Sequence, residues 1–260
     1  MSTGKNIFRK KILSIPIDTV DFKTAIIKIQ ELINSGSSHQ VATVNSEFIM
    51  AAQKNKEFME VLQKTSLSTP DGAGELWAIK FLYGIKLKER VTGVDLFWAM
   101  AKLSEDKGYR IFMLGGDPGV VKIAAQRVRL IHPKVRIVYT YEGSPRETKK
   151  IRQLINHTHP NILFVAWGAP KQDIWIAENL KKFHSPLVAI GVGGTFNFIA
   201  GVRHRAPKWM QKIGLEWLYR LSQEPKRFGR IWTAVVRFPI AVFFSKFKRK
   251  NDRNNKDKQK

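Results

Sequence analysis

The sequence predicts an α/β fold: a Rossmann-like, mainly parallel sheet with helices on both faces, followed by a helical appendage. Two observations support this prediction. Short strand-like runs alternate with longer helical patterns through the first 200 residues. After Gly201 the strand-like runs stop, and the chain becomes helical, basic and rich in tryptophan. We therefore expect an α/β core at residues 1–200, a basic helical appendage at 201–247 and a disordered basic tail at 248–260.

The individual elements follow from the spacing of apolar residues. The predicted strands are 41–45, 110–114, 135–140, 161–167 and 187–192, and an earlier run at 12–17 predicts a hairpin or an edge strand. The predicted helices are 46–62, 72–83, 94–107, 118–131, 147–156 and 170–183. In sheets of this class, ligands bind at the carboxyl ends of the strands, so the residues that follow each strand are the candidates for a functional site.

The charge of the chain is uneven. Its formal net charge is +24, and the segment from Gly201 onward holds 17 Lys and Arg against four acidic residues. A gradient of this kind indicates a polyanionic partner, which is a nucleic acid, an anionic lipid or a phosphorylated substrate. The absence of cysteine excludes disulfides and thiolate metal sites and fits a reducing cytosol.

Two segments bear on membrane association. Residues 1–16 are basic but have no apolar region of the kind a signal peptide needs, so none is predicted. The longest apolar stretch, 231–244, contains Arg237 and Pro239 and is shorter than the roughly 20 residues that a spanning helix needs. We expect this stretch to lie on a membrane surface without crossing it.

Four polar clusters stand where predicted strands end. Taken singly, each is an ordinary strand-to-helix turn. Together they predict a nucleotide-type pocket, because glycine lets a ligand approach the backbone and a following helix start offers free N–H groups to phosphate. The clusters contain Thr43 and Asn45, then Gly115 and Gly116, then Gln172, and finally Gly193, Gly194 and Asn197.

Asp71 and Arg90 each allow two interpretations. Asp71 precedes an apolar helix, so it is either the N-cap of that helix or a general base held at the ligand edge of the sheet. Arg90 is either a surface charge or an anion ligand. The spacing of the residues leaves both alternatives open.

The sequence offers no familiar metal site. The six histidines form no ligand pattern, and no Asp-x-Asp occurs. Arginines are the alternative source of positive charge for a diphosphate. Arg220, Arg227, Arg230 and Arg237 recur at helical spacing on one face, although a solvated basic face gives the same pattern.

A set of motifs, in order and closely spaced, resembles the WecG/TagA/CpsF family, which is glycosyltransferase family 26. The matching segments are Thr43-Val-Asn45, Pro70-Asp71-Gly72, Arg90-Val-Thr-Gly-Val-Asp95, Leu114-Gly-Gly, Gly168-Ala-Pro-Lys-Gln172, Gly191-Val-Gly-Gly-Thr-Phe and Gly214-Leu-Glu-Trp-Leu-Tyr-Arg220-Leu-Ser-Gln-Glu-Pro-Lys-Arg227.

The resemblance implies a metal-independent, cofactor-free, inverting transfer. The donor is UDP-N-acetylmannosamine or a related UDP-sugar, such as UDP-glucose or UDP-N-acetylmannosaminuronic acid. The acceptor is an N-acetylglucosamine carried on a polyprenyl diphosphate, and the product enters a cell-surface polysaccharide. The implied partners are therefore the donor, the lipid-linked acceptor and the anionic inner face of the plasma membrane, on which a cytoplasmic, peripheral protein is expected.

The resemblance also implies roles for particular residues. Asp71 is the base that deprotonates the acceptor hydroxyl, and Arg90 binds substrate. Thr43 and Gln172 match polar residues of the family's active pocket, and Asn45 matches a nucleotide contact. The glycines Gly115, Gly116, Gly193 and Gly194 are expected beside the UDP, as is Asn197, where the family commonly has Asp. Arg220, Arg227 and Arg230 belong to a C-terminal appendage that supplies positive charge to the diphosphate.

Two other classes of protein were weighed against this hypothesis. A nucleotide-dependent oxidoreductase is disfavoured because no Gly-x-Gly-x-x-Gly follows the first strand. A nucleic-acid-binding protein fits the charge but gives no reason for Asp71 or for the glycines at the strand ends, so no nucleic-acid partner is expected. The sequence leaves open whether the chain forms a homo-oligomer.

Overall fold

The computed structural model describes residues 7–257. Residues 1–6 and 258–260 lie outside the described residues. The first group belongs to the segment 1–16, for which no signal peptide is predicted, and the second is the end of the predicted disordered tail. The described part has a six-stranded parallel sheet with helices on both faces, which confirms the predicted α/β class. The strands are β1 Arg9–Ile12, β2 Ile15–Asp18, β3 His39–Val44, β4 Leu67–Pro70, β5 Arg110–Gly115, β6 Arg136–Tyr141, β7 Ile162–Ala166 and β8 Val188–Gly191.

The main sheet has the strand order β4-β3-β8-β7-β5-β6, and every neighbouring pair is parallel. Side chains along a strand alternate between its two faces. In β7, for example, Ile162 and Phe164 join one buried cluster, whereas Leu163 and Val165 join another. The strands are therefore apolar on both faces, as expected for a parallel sheet covered by helices on both sides.

The helices of the core follow the strands in alternation. They are α1 Phe22–Asn34, α2 Ser46–Ala52, α3 Lys56–Gln63, α4 Ala73–Tyr83, α5 Gly93–Lys107, α6 Val120–Ile131, α7 Thr148–Thr158, α8 Lys171–Asn179 and α9 Thr195–Ile199. Helices α1, α5, α6 and α9 contribute to the apolar cluster on one face of the sheet. Helices α2, α3, α4, α7 and α8 pack on the opposite face.

Three parts of the core differ from the sequence interpretation. Helix α1 and strand β4 were not predicted, although both are needed to complete the layers. The single helix predicted at 46–62 is two helices, because Asn55 begins α3 by accepting a hydrogen bond from the Phe58 N–H. The run at 12–17 spans a turn: β1 and β2 form an antiparallel hairpin with Leu13 and Ser14 at positive φ, which confirms the hairpin alternative.

After residue 200 the described chain is helical and lies against the core. It consists of α10 Lys208–Lys212, α11 Glu216–Gln223, α12 Phe228–Trp232 and α13 Phe238–Asp257, with π-helical turns at Thr233–Arg237 between the last two. Phe238 and Val242 of α13 are fully buried in the cluster formed with α2 and α4. Helix α13 continues to Asp257, into the tail that composition predicts to be disordered.

The helical run Pro225–Phe247 is longer than the apolar stretch used in the sequence interpretation. It has 23 residues and a mean hydropathy of 1.3 in its most apolar window, of which 17% is buried. By length and composition alone, it is able to cross a membrane. For the run Pro225–Phe247, length and composition therefore do not decide between a helix that spans the membrane and one that lies on its surface.

Candidate active site

A cavity of about 790 Å³ lies at the carboxyl edge of the sheet, as the sequence predicts. The loops that follow β4, β3, β8, β7 and β5 line it on the core side. Residues of α11, α12 and the π-helical turns line it on the other side. The appendage therefore forms a wall of the cavity instead of standing apart from it.

Asp71 follows β4 directly, and its N–H donates to the Val44 carbonyl at 2.9 Å. The N-cap of α4 is Gly72, which has no side chain to cap the helix, so the N-cap interpretation of Asp71 is wrong. The carboxylate of Asp71 lines the cavity and accepts no hydrogen bond from the part of the chain that the structure describes. It is therefore available to a ligand.

The surroundings of Asp71 alter its protonation. Burial raises the pKa of Asp71 to about 7, and the neighbouring carboxylates of Glu75, Glu216 and Asp95 act in the same direction. The guanidinium of Arg90 opposes them by favouring the ionised form. A carboxylate with a pKa near neutrality exchanges protons readily at physiological pH, which is what a general base requires.

Glu75 is a second carboxyl group at this site that sequence reasoning missed. It is fully buried, and the Ser46 hydroxyl donates to its Oε1 at 2.7 Å. Burial raises the pKa of Glu75 to about 7. Glu75 lies three residues after the N-cap Gly72, a position from which a glutamate reaches back to the first N–H groups of the helix. A glutamate three residues after the start of a helix is a pattern that is visible in the sequence.

Thr43 and Asn45 both line the cavity, at the end of β3. The Thr43 hydroxyl donates to the Gly191 carbonyl of β8 at 3.0 Å, so it ties two neighbouring strands together. Asn45 caps α2, its Oδ1 accepting from the Phe48 N–H at 3.1 Å. The structure brings both to the site, and each also has a local structural bond.

Arg90 lines the cavity beside Asp71. The adjacent Val91 N–H donates to the Pro70 carbonyl at 2.8 Å, which holds this loop against the end of β4. Arg90 Nη1 lies 2.7 Å from Glu216 Oε2, and both side chains are mostly buried. The pair joins the core loop to α11, so Arg90 is not the isolated surface charge of the first interpretation.

Of the predicted site residues, Gln172 and Gly115 do not line the cavity. Gln172 is fully buried, and its Oε1 accepts hydrogen bonds from the N–H groups of Gly168 and Gly193, each at 3.0 Å. It thereby holds together two loops that do line the cavity. Gly115 has a φ of +90°, and a Cβ there would lie 2.6 Å from the Trp167 ring, so this glycine permits close packing.

The remaining predicted glycines and Asn197 are placed at the cavity. Gly116, Gly193 and Gly194 line it from the loops after β5 and β8. Asn197 lies on α9 and is almost fully buried, and its Oδ1 has no hydrogen-bond partner within residues 7–257. The residue lines the cavity, whereas this oxygen is itself buried without a partner.

The three predicted arginines meet on the appendage side of the cavity. Arg220 and Arg227 both contact Glu224, and Arg230 Nε lies 2.6 Å from Glu47 Oε2 of α2. Burial lowers the pKa of Arg227, and the positive charges of Arg220 and Arg230 add to this effect. The three guanidinium groups therefore concentrate positive charge at the cavity, and each already contacts a glutamate.

Two further arginines of the site were missed. Arg203 lies 2.8 Å from Glu224, and Arg205 Nη1 lies 2.7 Å from Asp95 Oδ1. Both line the cavity, yet neither belongs to the helical face formed by the other three. Within residues 7–257, no group of three or more His, Cys, Asp or Glu residues is arranged to hold a metal ion.

The fold and the cavity are those of an α/β enzyme, with a carboxylate of raised pKa on one wall and a group of arginines on the other. The comparisons with known proteins agree with this class. Residues 10–252 match the model of the "Glycosyl transferase WecG/TagA/CpsF family". The chain therefore belongs to the WecG/TagA/CpsF family of glycosyltransferases, as its motifs predict.

Two curated relatives carry the same name, N-acetylglucosaminyldiphosphoundecaprenol N-acetyl-beta-D-mannosaminyltransferase. The protein of Bacillus subtilis (strain 168) is 30% identical over 202 residues, which is 78% of each chain. The protein of Staphylococcus aureus (strain MW2) is 28% identical over 252 residues, which is 93% of this chain and 96% of the relative. The similarity to the Staphylococcus aureus protein extends over both the core and the appendage.

Proposed function

We propose that the protein transfers N-acetylmannosamine from a UDP-linked donor to an N-acetylglucosamine carried on a polyprenyl diphosphate, in the synthesis of a cell-surface polysaccharide. One observation carries the proposal: the free carboxylate of Asp71 shares a cavity with Arg220, Arg227 and Arg230. The names of the two relatives specify the sugar and the acceptor. They favour this donor over UDP-glucose and UDP-N-acetylmannosaminuronic acid.

The proposed chemistry is a single displacement. The acceptor hydroxyl oxygen forms a bond to the anomeric carbon of the donor while the bond from that carbon to the diphosphate oxygen breaks. Asp71 takes the hydroxyl proton, and UDP leaves with the electron pair of the broken bond. Attack from the side opposite the leaving group inverts the anomeric centre, so an α-linked donor gives a β-linked product.

We assign roles to the other predicted site residues according to where they lie around the cavity. Gly116, Gly193 and Gly194 allow UDP to approach the protein backbone at the strand ends. Asn45 and Asn197 are contacts for the nucleotide. Arg90 binds substrate beside Asp71. The appendage arginines stabilise the charge that develops on the departing diphosphate, an effect on the order of 10²–10³ in rate for one well-placed donor. In this proposal Gln172 acts by holding the Gly168 and Gly193 loops in place, and Thr43 by joining β3 to β8.

The decisive experiment combines a donor screen with the Asp71→Asn variant. UDP release is measured with a short-chain N-acetylglucosaminyl lipid diphosphate and each of the three donors. We expect UDP-N-acetylmannosamine to give the highest kcat/KM and Asp71→Asn to lower kcat by about 10²-fold or more, with the fold intact by circular dichroism. Near-normal turnover by Asp71→Asn would falsify the general-base role.

We also infer that the chain is a cytoplasmic protein that binds peripherally to the inner face of the plasma membrane through α12 and α13. Large apolar side chains on these helices are strongly exposed: Phe228 at 60%, Ile240 at 51% and Phe244 at 67%. The same helices hold Arg230 at Glu47 and bury Phe238 in the core. A spanning orientation would break the contact between Arg230 and Glu47 and withdraw Phe238 from the core. We therefore favour a helix that lies in the interface.

Binding to lipid vesicles tests the peripheral arrangement. We expect the protein to sediment with vesicles that contain phosphatidylglycerol and to be released by high salt, because basic residues add electrostatic attraction to the apolar contact. The double variant Ile240→Ser, Phe244→Ser should lower binding while the activity toward a soluble acceptor remains. Resistance to both salt and alkaline carbonate extraction would instead indicate a spanning helix.

A further inference from the structure

Large apolar side chains contribute to the lining of the cavity. They include Trp77 of α4 and Ile231, Val235 and Pro239 of the appendage. The Trp77 side chain is also 41% exposed. Apolar residues therefore share the cavity with Asp71 and the arginines.

Aromatic rings continue from Trp77 across the surface of α4 and α13. The centroids of the Trp77 and Phe81 rings lie 5.2 Å apart, with the ring planes within 9° of parallel. The Phe81 and Phe243 rings follow at 6.1 Å, inclined by 21°. We call these three rings the aromatic track. Phe243 is 47% exposed, so the track ends at the surface and is not part of the packed core.

Lys246 fixes the middle of the aromatic track. Its Nζ lies 4.1 Å from the centroid of the Phe81 ring and donates to the Phe81 carbonyl at 2.9 Å. The ammonium group thus holds α13 against the end of α4 and keeps the Phe81 and Phe243 rings facing each other. These contacts fix the position of the Phe81 ring between Trp77 and Phe243.

We propose that the aromatic track binds the first isoprene units of the polyprenyl chain of the acceptor, a subsite that extends the active-site cavity onto α4 and α13. The inference rests on the proposed function. An acceptor whose sugar reaches Asp71 has its diphosphate and then its hydrocarbon chain behind the sugar. The hydrocarbon must leave the cavity, and Trp77, which both lines the cavity and begins the aromatic track, offers it an apolar surface to follow. Continuity with the cavity favours the acceptor chain over the bilayer or a second protein copy as the occupant.

Two soluble acceptors that differ only in the chain test the proposal. Both are N-acetylglucosamine diphosphates, one esterified with a farnesyl group and the other with a methyl group, and no vesicles or detergent are present. For the unaltered protein, we expect the KM of the farnesyl acceptor to be about tenfold or more below that of the methyl acceptor, because the chain buries apolar surface on the track.

Variants of the track locate the effect. Trp77→Ala and Phe243→Ala should each raise the KM of the farnesyl acceptor by about five- to tenfold, and Phe243→Ala, which alters no residue of the cavity lining, should change the KM of the methyl acceptor by less than twofold. The matched control is Leu130→Ala, which removes an 81% exposed apolar side chain from α6 and should alter neither KM. Thermal unfolding of each variant shows whether it is folded.

The outcomes separate this proposal from the proposed function. If neither acceptor gives UDP release with UDP-N-acetylmannosamine, UDP-glucose or UDP-N-acetylmannosaminuronic acid, the proposed function fails. If both acceptors react but the farnesyl group gives no advantage, or the track variants affect both acceptors equally, the aromatic track is not a prenyl site. Variants that weaken only vesicle binding would assign the track to the bilayer, and variants that abolish a dimer seen by sedimentation would assign it to a second copy.

Discussion

At the scale of single residues, the active site depends on carboxyl groups that hold their protons more tightly than ordinary carboxyl groups do. Asp71 and Glu75 both have a pKa of about 7, mainly because they are buried. Only the ionised form of Asp71 accepts a proton from the acceptor hydroxyl. Accordingly, kcat/KM should fall as the pH drops through 7 and should level off above it.

The influence of Glu75 on Asp71 gives a sharper prediction. Glu75 raises the pKa of Asp71, together with Glu216 and Asp95, whereas Arg90 lowers it. Replacing Glu75 with Gln removes one negative charge from beside the base, so the acidic limb of the kcat/KM profile should move to lower pH. The control Glu105→Gln alters a carboxylate on α5 that pairs with His132, and its profile should match that of the unaltered protein. An unmoved limb in Glu75→Gln would show that Glu75 serves only to pack and cap α4.

Asp173 gives a stability prediction at the same scale. Its side chain is fully buried, neither carboxylate oxygen has a hydrogen-bond partner within the described residues, and burial raises its pKa to about 7. The folded state keeps the Asp173 proton between about pH 4 and pH 7, where the unfolded state releases it. This group therefore lowers the free energy of unfolding as the pH rises through that window, with the full loss present above pH 7.

The variant Asp173→Asn removes this titration. Urea unfolding at pH 8 should show a free energy of unfolding that is higher by on the order of 4 kcal/mol than in the unaltered protein, and the difference should shrink toward pH 5. An equal difference at both pH values would mean that the amide changes the packing and not the charge.

At the scale of elements, the appendage helices and turns carry the arginines that face the cavity. Arg227 lines the cavity, whereas Arg237, ten residues further along, is exposed and does not. We expect Arg227→Ala to lower kcat by about 10²-fold, because a donor aimed at the leaving diphosphate is lost. Arg237→Ala is the matched control, since it removes the same charge from the same segment and should leave kcat within about twofold. Comparable losses in both variants would point to the overall charge of the appendage instead of a specific contact.

Strands β7 and β4 show which elements the sequence alone predicts and which it does not. Apolar runs such as β7 were predicted because every side chain of that strand is buried. Strand β4 was missed because its sequence, Leu67-Ser-Thr-Pro70, is mostly polar, and its polar groups are satisfied by distant residues. The Thr69 hydroxyl donates to the Val91 carbonyl, and the Ser68 N–H donates to Asp18. No local pattern contains those partners.

The same reason explains the errors at the site. Eleven of the thirteen predicted site residues line the cavity, most of them because the segments that follow parallel strands meet at one edge, and the three arginines because the appendage forms the opposite wall. Gly115 is the last residue of β5 and Gln172 lies in the first turn of α8; both pack against neighbouring residues and do not line the cavity, which spacing alone does not reveal. The pairs Arg90–Glu216 and Arg205–Asp95 join residues more than 100 positions apart, so spacing gave no sign of either pair, although Glu216 lies within the motif that begins at Gly214.

At the scale of the whole molecule, the appendage completes both the cavity and part of the core. The clusters on α1, α5, α6 and α9 and on α7 and α8 contain no residue beyond Ala200. The cluster on α2 and α4, in contrast, includes Phe238 and Val242, and a Cβ at Gly74 in the first turn of α4 would lie 3.3 Å from the Phe238 ring. The appendage is therefore packed directly behind the loop that carries Asp71.

Removal of the appendage should consequently separate folding from catalysis. A chain that ends at residue 200 keeps two of its three apolar clusters, and we expect it to remain folded by circular dichroism, with a lower melting temperature than the full chain. Its UDP release should fall by at least about 10²-fold, because the arginine wall of the cavity is lost. The full-length variant Phe238→Ala keeps every arginine but weakens the contact with α4, so its activity should lie between those of the two chains. Full activity in the shortened chain would show that the core alone performs the reaction and that the arginines are dispensable.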